Sequence, residues 1–115
     1  MKNFKGQGNT LNWTNGTGDD VASGDAVLVG KLFGIAAGDI ADGETGVLNL
    51  VGEYELPKAA SQAWTVGAKV FWDDTAKNCT TTATSNTFIG AATVAIGSGA
   101  AETIGTVRLN GVAAA

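Results

Sequence analysis

A chain of 115 residues with a net charge of −4, a single arginine, one cysteine and no histidine is long enough for one domain with its own core. It lacks the basic footprint of a nucleic-acid binder, and without histidine it lacks the commonest general base, the commonest metal ligand and every Ser-His or Cys-His dyad. One cysteine permits no intrachain disulfide and no thiolate metal cluster, and no run approaches the ~18 apolar residues of a membrane span.

Residues 1–9 (MKNFKGQGN) read as a polar N-terminal arm with Phe4 as its one apolar anchor. The two lysines of this opening are not followed by an apolar signal-peptide core, so a protein made and kept in a cytoplasm is expected. Thr10–Thr14 (TLNWT) predicts a first strand with Leu11 and Trp13 on one face, and Asn15-Gly16 supplies a strong hairpin-turn signal. AVLVG (26–30) and LFGIAA (32–37) are short apolar runs, followed by a Gly/Asp-dense loop at 38–46.

From Gly46 to Pro57 the alternation is clean, and it predicts one half-buried antiparallel strand. Gly46, Leu48, Leu50, Gly52, Tyr54 and Leu56 share one face; Val47, Asn49, Val51, Glu53 and Glu55 share the other. KAASQAW (58–64) is the one segment with helix-tolerant composition, sufficient for a single turn packing Trp64. VGAKVFWD (66–73) alternates again, with Val66, Ala68, Val70 and Trp72 together. CTTTAT (79–84) suggests an exposed strand, FIGAATVAIG (88–97) a buried one, and TIGTVRLNG (103–111) a last strand with Val107 and Leu109 inward. The fold class is therefore all-β, a small antiparallel β-sandwich or barrel with at most one short helical turn. A single domain spans 10–112, with a frayed tail at 113–115. A faint internal echo links GVLNLVG (46–52) to GTVRLNG (105–111) and FGIAA (33–37) to IGAAT (89–93).

No motif supplies chemistry. Gly24 to Lys31 has five residues between its glycines and Leu32 in place of the hydroxyl a phosphate loop needs. Asp19, Asp20, Asp39, Asp42, Glu44, Asp73 and Asp74 read as solvated turn residues rather than a Ca²⁺ loop. Lys31, Lys58, Lys69 and Lys77 likewise read as solvated, and Cys79 as a strand residue rather than a nucleophile. Trp13, Trp64 and Trp72 could stack sugars, but tryptophans in so small a domain more often anchor a core or an interface.

Taken together, SGDAVLVGKLFGIAA (23–37), GVLNLVGEYELPKAA (46–60), VGAKVFWDDTAKNCTTTAT (66–84), FIGAA (88–92) and TVRLNG (106–111) resemble small prophage and tailed-phage proteins of the DUF2190 type. These are read as capsid cement or decoration proteins, although some carry the label RecA/RadA family recombinase. The resemblance implies a β-rich virion protein that binds the outer surface of an expanded capsid as an oligomer, and it offers no catalytic motif. The expectation is a non-enzymatic structural protein without cofactor or metal. Its partners would be the major capsid protein and itself (a trimer favoured over a dimer), with no nucleic acid and no membrane. Phe4, Trp13 and Trp64 are the expected interface residues, and a virion-borne carbohydrate-binding module is the alternative.

Overall fold

Short apolar runs cut by Gly, Asp and Asn give strands that must find partners far along the chain. A computed structural model describes residues 8–114. Among them β1 (Thr10–Thr14), β2 (Ala26–Val29), β3 (Leu32–Ala36) and β4 (Thr45–Asn49) form an antiparallel sheet in the order β1-β4-β3-β2. A second antiparallel sheet contains β5 (Val51–Pro57), β6 (Lys69–Asp73), β7 (Asn78–Thr80), β8 (Thr87–Ala92) and β9 (Ile104–Asn110), in the order β5-β9-β8-β6-β7. No described residue is helical. The expected all-β sandwich is the fold.

The main core lies between the sheets, where Phe33 and Ile35 of β3 meet Leu56, Trp64, Val70, Trp72, Ile89, Val107 and Leu109. The Phe33 and Trp72 rings lie 5.1 Å apart at 51°, the tilted contact that aromatic quadrupoles favour. A second cluster covers the other face of the first sheet: Val21, Val27, Ala36, Ile40 and Leu48, with Leu11, Trp13 and Val29 against it. Successive residues of β3 thus face different clusters, which is why LFGIAA is apolar throughout.

The two sheets repeat one plan. Val21 and Ile40 exchange backbone hydrogen bonds of 2.9 and 2.8 Å, and Trp64 and Ile96 do the same at 2.9 and 3.0 Å. Gly24 N–H donates to the Ala36 carbonyl as Gly67 N–H donates to that of Ala92, both at 2.8 Å. Both glycines have φ of 89°, a left-handed turn conformation costly for other residues. The Ile35–Asn49 and Ala36–Leu48 pairs of β3 and β4 recur as Ala91–Arg108 and Ala92–Val107 of β8 and β9. The faint echo in the sequence is therefore a structural repeat, with β1-β2-β3-β4 matched by β5-β6-β8-β9. The second unit inserts β7 and its connections where the first has only the Gly30-Lys31 turn.

Several local expectations are corrected. Residues 46–57 are two strands in different sheets, because the chain passes from one sheet to the other at Leu50. Alternation continues through the crossing, with Leu48, Leu50 and Leu56 all buried. Asn15-Gly16 closes no hairpin, since β1 pairs with β4. The helical turn at 58–64 is absent: Lys58 bridges Cys79, Trp64 bridges Ile96, and Ser61 sits at φ 59°. CTTTAT contributes only the end of a three-residue strand, with Cys79 and Thr80 buried. Val66 points outward from a turn, not inward, and is 68% exposed. Beyond β9, Ala114 N–H donates to the Lys31 carbonyl at 2.8 Å.

Candidate interaction surfaces

The polar residues that could have carried chemistry are engaged in holding loops. Asp20 accepts from Asp42 N–H, Asp42 from Gly18 N–H, and Asp39 from Ser23 N–H, so these carboxylates lace the loop after β1 to the loop after β3. Among the described residues no group of three or more Cys, Asp or Glu could hold a metal ion. Asp74 accepts from Lys77 Nζ at 2.8 Å and from Trp72 Nε1 at 3.0 Å. The Lys77 contact, then the indole hydrogen bond, hold its carboxyl below the usual range, with burial opposing. Burial pushes the Cys79 thiol up to about 12, so it is no nucleophile at neutral pH. Gly24 to Lys31 is a strand and a tight turn without a cradle of amides.

Lys58 departs most from expectation. It is 2% exposed, donates from Nζ to the carbonyls of Ala59 and Glu102 at 2.9 and 3.2 Å, and stands 5.7 Å from the Trp64 ring centroid. Its stem fills the interior while its ammonium fastens the 98–103 loop. A lysine between Pro57 and two alanines carries no local sign of this.

Phe4 lies outside the described residues. Trp13 sits half-buried on β1 beside Leu11, against the second cluster. Trp64 is 1% exposed, with Nε1 donating to Gln62 Oε1 at 3.1 Å, and offers no surface in this fold. Trp72 is also interior. The three tryptophans share no exposed face on which a sugar could stack.

What does reach the surface was not singled out in the sequence. Val66, Val94 and Ile104 are 68%, 51% and 51% exposed. Val66 and Val94 each lie two residues from a partner in the Trp64–Ile96 bridge, and Ile104 precedes Gly105, which abuts the Trp64 ring. They share one end of the second sheet. The exposed faces of β1 and β4 add Thr10, Asn12, Thr14, Thr45 and Val47, with Thr14 and Thr45 hydroxyls hydrogen-bonded at 2.8 Å.

A family model described as phage cement protein matches residues 5–111, covering both repeated units. The chain belongs to the phage cement protein family. It is accordingly a structural protein of the phage particle, associated with the capsid. Searches of curated proteins and of solved structures returned no match. For a cement protein, the loop-bound carboxylates and inert thiol leave sheet edges and surface apolar side chains as the features with work to do.

Proposed function

We propose that this cement protein binds the outer surface of the phage capsid and ties neighbouring major capsid subunits together, as a homo-oligomer and without catalysis. The observation that carries the reading is the family match across residues 5–111. The surface suits it. Val66, Val94 and Ile104 form an exposed apolar end on an otherwise acidic molecule, the kind of patch that marks a protein contact. Many weak contacts on a symmetric shell reinforce one another through effective concentration. The N-terminal arm, with Phe4, is a further contact proposed for the capsid, and Trp13 for a neighbouring molecule. A recombinase role finds no support: the Gly24–Lys31 segment is the first strand and turn of a β-hairpin, and the chain carries 7 basic against 11 acidic residues.

The test is co-sedimentation with expanded shells that lack the protein. Val66→Asp with Ile104→Asp should weaken binding about tenfold or more, because each puts a charge where an apolar contact formed, while the melting temperature stays within a few degrees. Wild-type affinity in the double variant would exclude this end as the capsid contact. Deleting residues 1–9 should also lower occupancy; unchanged occupancy would remove the arm from the account.

A further inference from the structure

The outward-facing backbone groups of β1 can be assigned from its ladder with β4. Leu50 N–H donates to Asn9 at one end and Asn15 N–H donates to Glu44 at the other, at 2.9 and 2.8 Å. Bonded and non-bonded pairs alternate along an antiparallel ladder. Leu11 and Trp13 are therefore the residues bonded to Leu48 and Gly46, while Thr10, Asn12 and Thr14 turn their N–H and C=O groups away from β4. Among the described residues no strand lies on that side.

β5 is the matching edge of the second unit and serves as an internal control. There the Lys58–Thr103 bond of 2.7 Å sets the phase; the outward positions include Glu53, Glu55 and Pro57, and the Lys58–Cys79 bridge brings β7 against the Pro57 end. Two carboxylates and a residue without an N–H are devices that keep a sheet edge from pairing. At the three equivalent positions β1 has threonine, asparagine and threonine, in an unbroken register. One edge is guarded. The other is open.

We propose that β1 pairs antiparallel with β1 of a second copy of this chain, about a two-fold axis through Asn12, joining two four-stranded sheets into one. The strand complements itself in this register. Asn12 falls opposite the partner's Asn12, and Thr10 opposite the partner's Thr14, so all the free groups are used in about six main-chain hydrogen bonds. On one face threonine meets threonine. On the other, Leu11 falls opposite the partner's Trp13 at the non-bonded positions, where side chains approach most closely. Both are half-buried in the single chain, and pairing covers more of each. The edge carries no charge, so two copies of net charge −4 meet without like charges opposed at the seam. Such a contact is isologous and closes at two copies, which favours the dimer over the trimer. Five residues a side bury less than the ~1,200 Å² of a standard interface, so pairing depends on concentration in solution and is reinforced on a lattice.

Sedimentation velocity of the full chain over a concentration series tests this. The wild type should show a monomer–dimer equilibrium. Asn12→Lys and Asn12→Asp should each weaken it about tenfold or more, since like charges then face each other across the axis. Their melting temperatures should stay at the wild-type value, because Asn12 is exposed. An equimolar mixture of the two variants should dimerise again, lysine opposite aspartate. A wild type that stays monomeric up to ~1 mM, a variant that dimerises like wild type, or a mixture that fails to recover would each overturn the proposal. So would β1 amides that exchange as fast at concentrations where the chain is dimeric as they do in the monomer. The proposal does not rest on capsid binding: its failure would remove β1 as the self-contact of the proposed homo-oligomer and leave the proposed capsid contact untouched.

Discussion

Asn15 and Lys58 occupy the same place in the two units and satisfy it with different chemistry. Each donates its backbone N–H across the sheet, to Glu44 and to Thr103, and each side chain is buried. Asn15 Nδ2 donates to the carbonyls of Asp19 and Ile40, and its Oδ1 accepts from Thr17; Lys58 reaches two carbonyls with its ammonium. Asn15→Ala should cost about 2–3 kcal/mol in urea unfolding, and Lys58→Met about 1–3 kcal/mol, because each leaves two carbonyls without their side-chain donor, that of Ile40 buried and those of Asp19, Ala59 and Glu102 partly so. A loss under ~0.5 kcal/mol in either would mean that water replaces the side chain without penalty. The thiol of Cys79 gives a pH test. Its pKa is raised from 9.0 to about 12 in the fold, so its contribution to stability is complete below pH ~9 and is lost as pH rises from there to about 12. Native protein at pH 8 should resist a thiol reagent that unfolded protein consumes at once; equal rates would contradict the burial. Neither buried polar residue was legible beforehand. Asn-Gly reads as a turn and lysine as solvated, and what buries them is a loop closing from 25 or more residues away.

At the scale of elements, strands were readable wherever one face is buried and the other wet, as in β6 and β9, since period-two alternation records exactly that contrast in the residues themselves. The crossing at Leu50 was not, because alternation passes unbroken from one sheet into the next. The repeat was only half audible. FGIAA and IGAAT match, as do GVLNLVG and GTVRLNG, but the preceding VASGDAVLV (21–29) and WTVGAKVFW (64–72) share only a glycine and a valine in register. What is retained is backbone geometry rather than side chains. Close approaches make the second unit sensitive: a Cβ on Gly90 would meet the Arg108 carbonyl and one on Gly105 the Trp64 ring, whereas one on Gly38 meets nothing within 4 Å. Gly90→Ala should destabilise by several kcal/mol, or about 3 kcal/mol at least, through displacement of β8 from β9, while Gly38→Ala should change stability by less than about 1 kcal/mol. Calorimetric melting of the two variants side by side decides it, and similar melting temperatures would refute the packing described.

At the scale of the whole molecule, one plan used twice yields two sheets with unequal edges. β5 is guarded by Glu53, Glu55 and Pro57 and met by β7 at the Lys58–Cys79 bridge, whereas among the described residues nothing pairs with the outer edge of β1. The apolar end near Trp64 and the β1 edge belong to different sheets, so the proposed shell contact and the proposed self-contact do not compete for one surface. This division was out of reach of the sequence, because edge and centre are properties of pairing order and not of composition. The most direct measurement is quantitative mass spectrometry of purified phage particles. The expected result is this polypeptide at a fixed ratio to the major capsid protein, on the order of one copy per few capsid subunits or more, as repeated lattice contacts require. Intact, stable particles containing none of it, or only traces, would contradict the assignment of the chain as a capsid-binding cement.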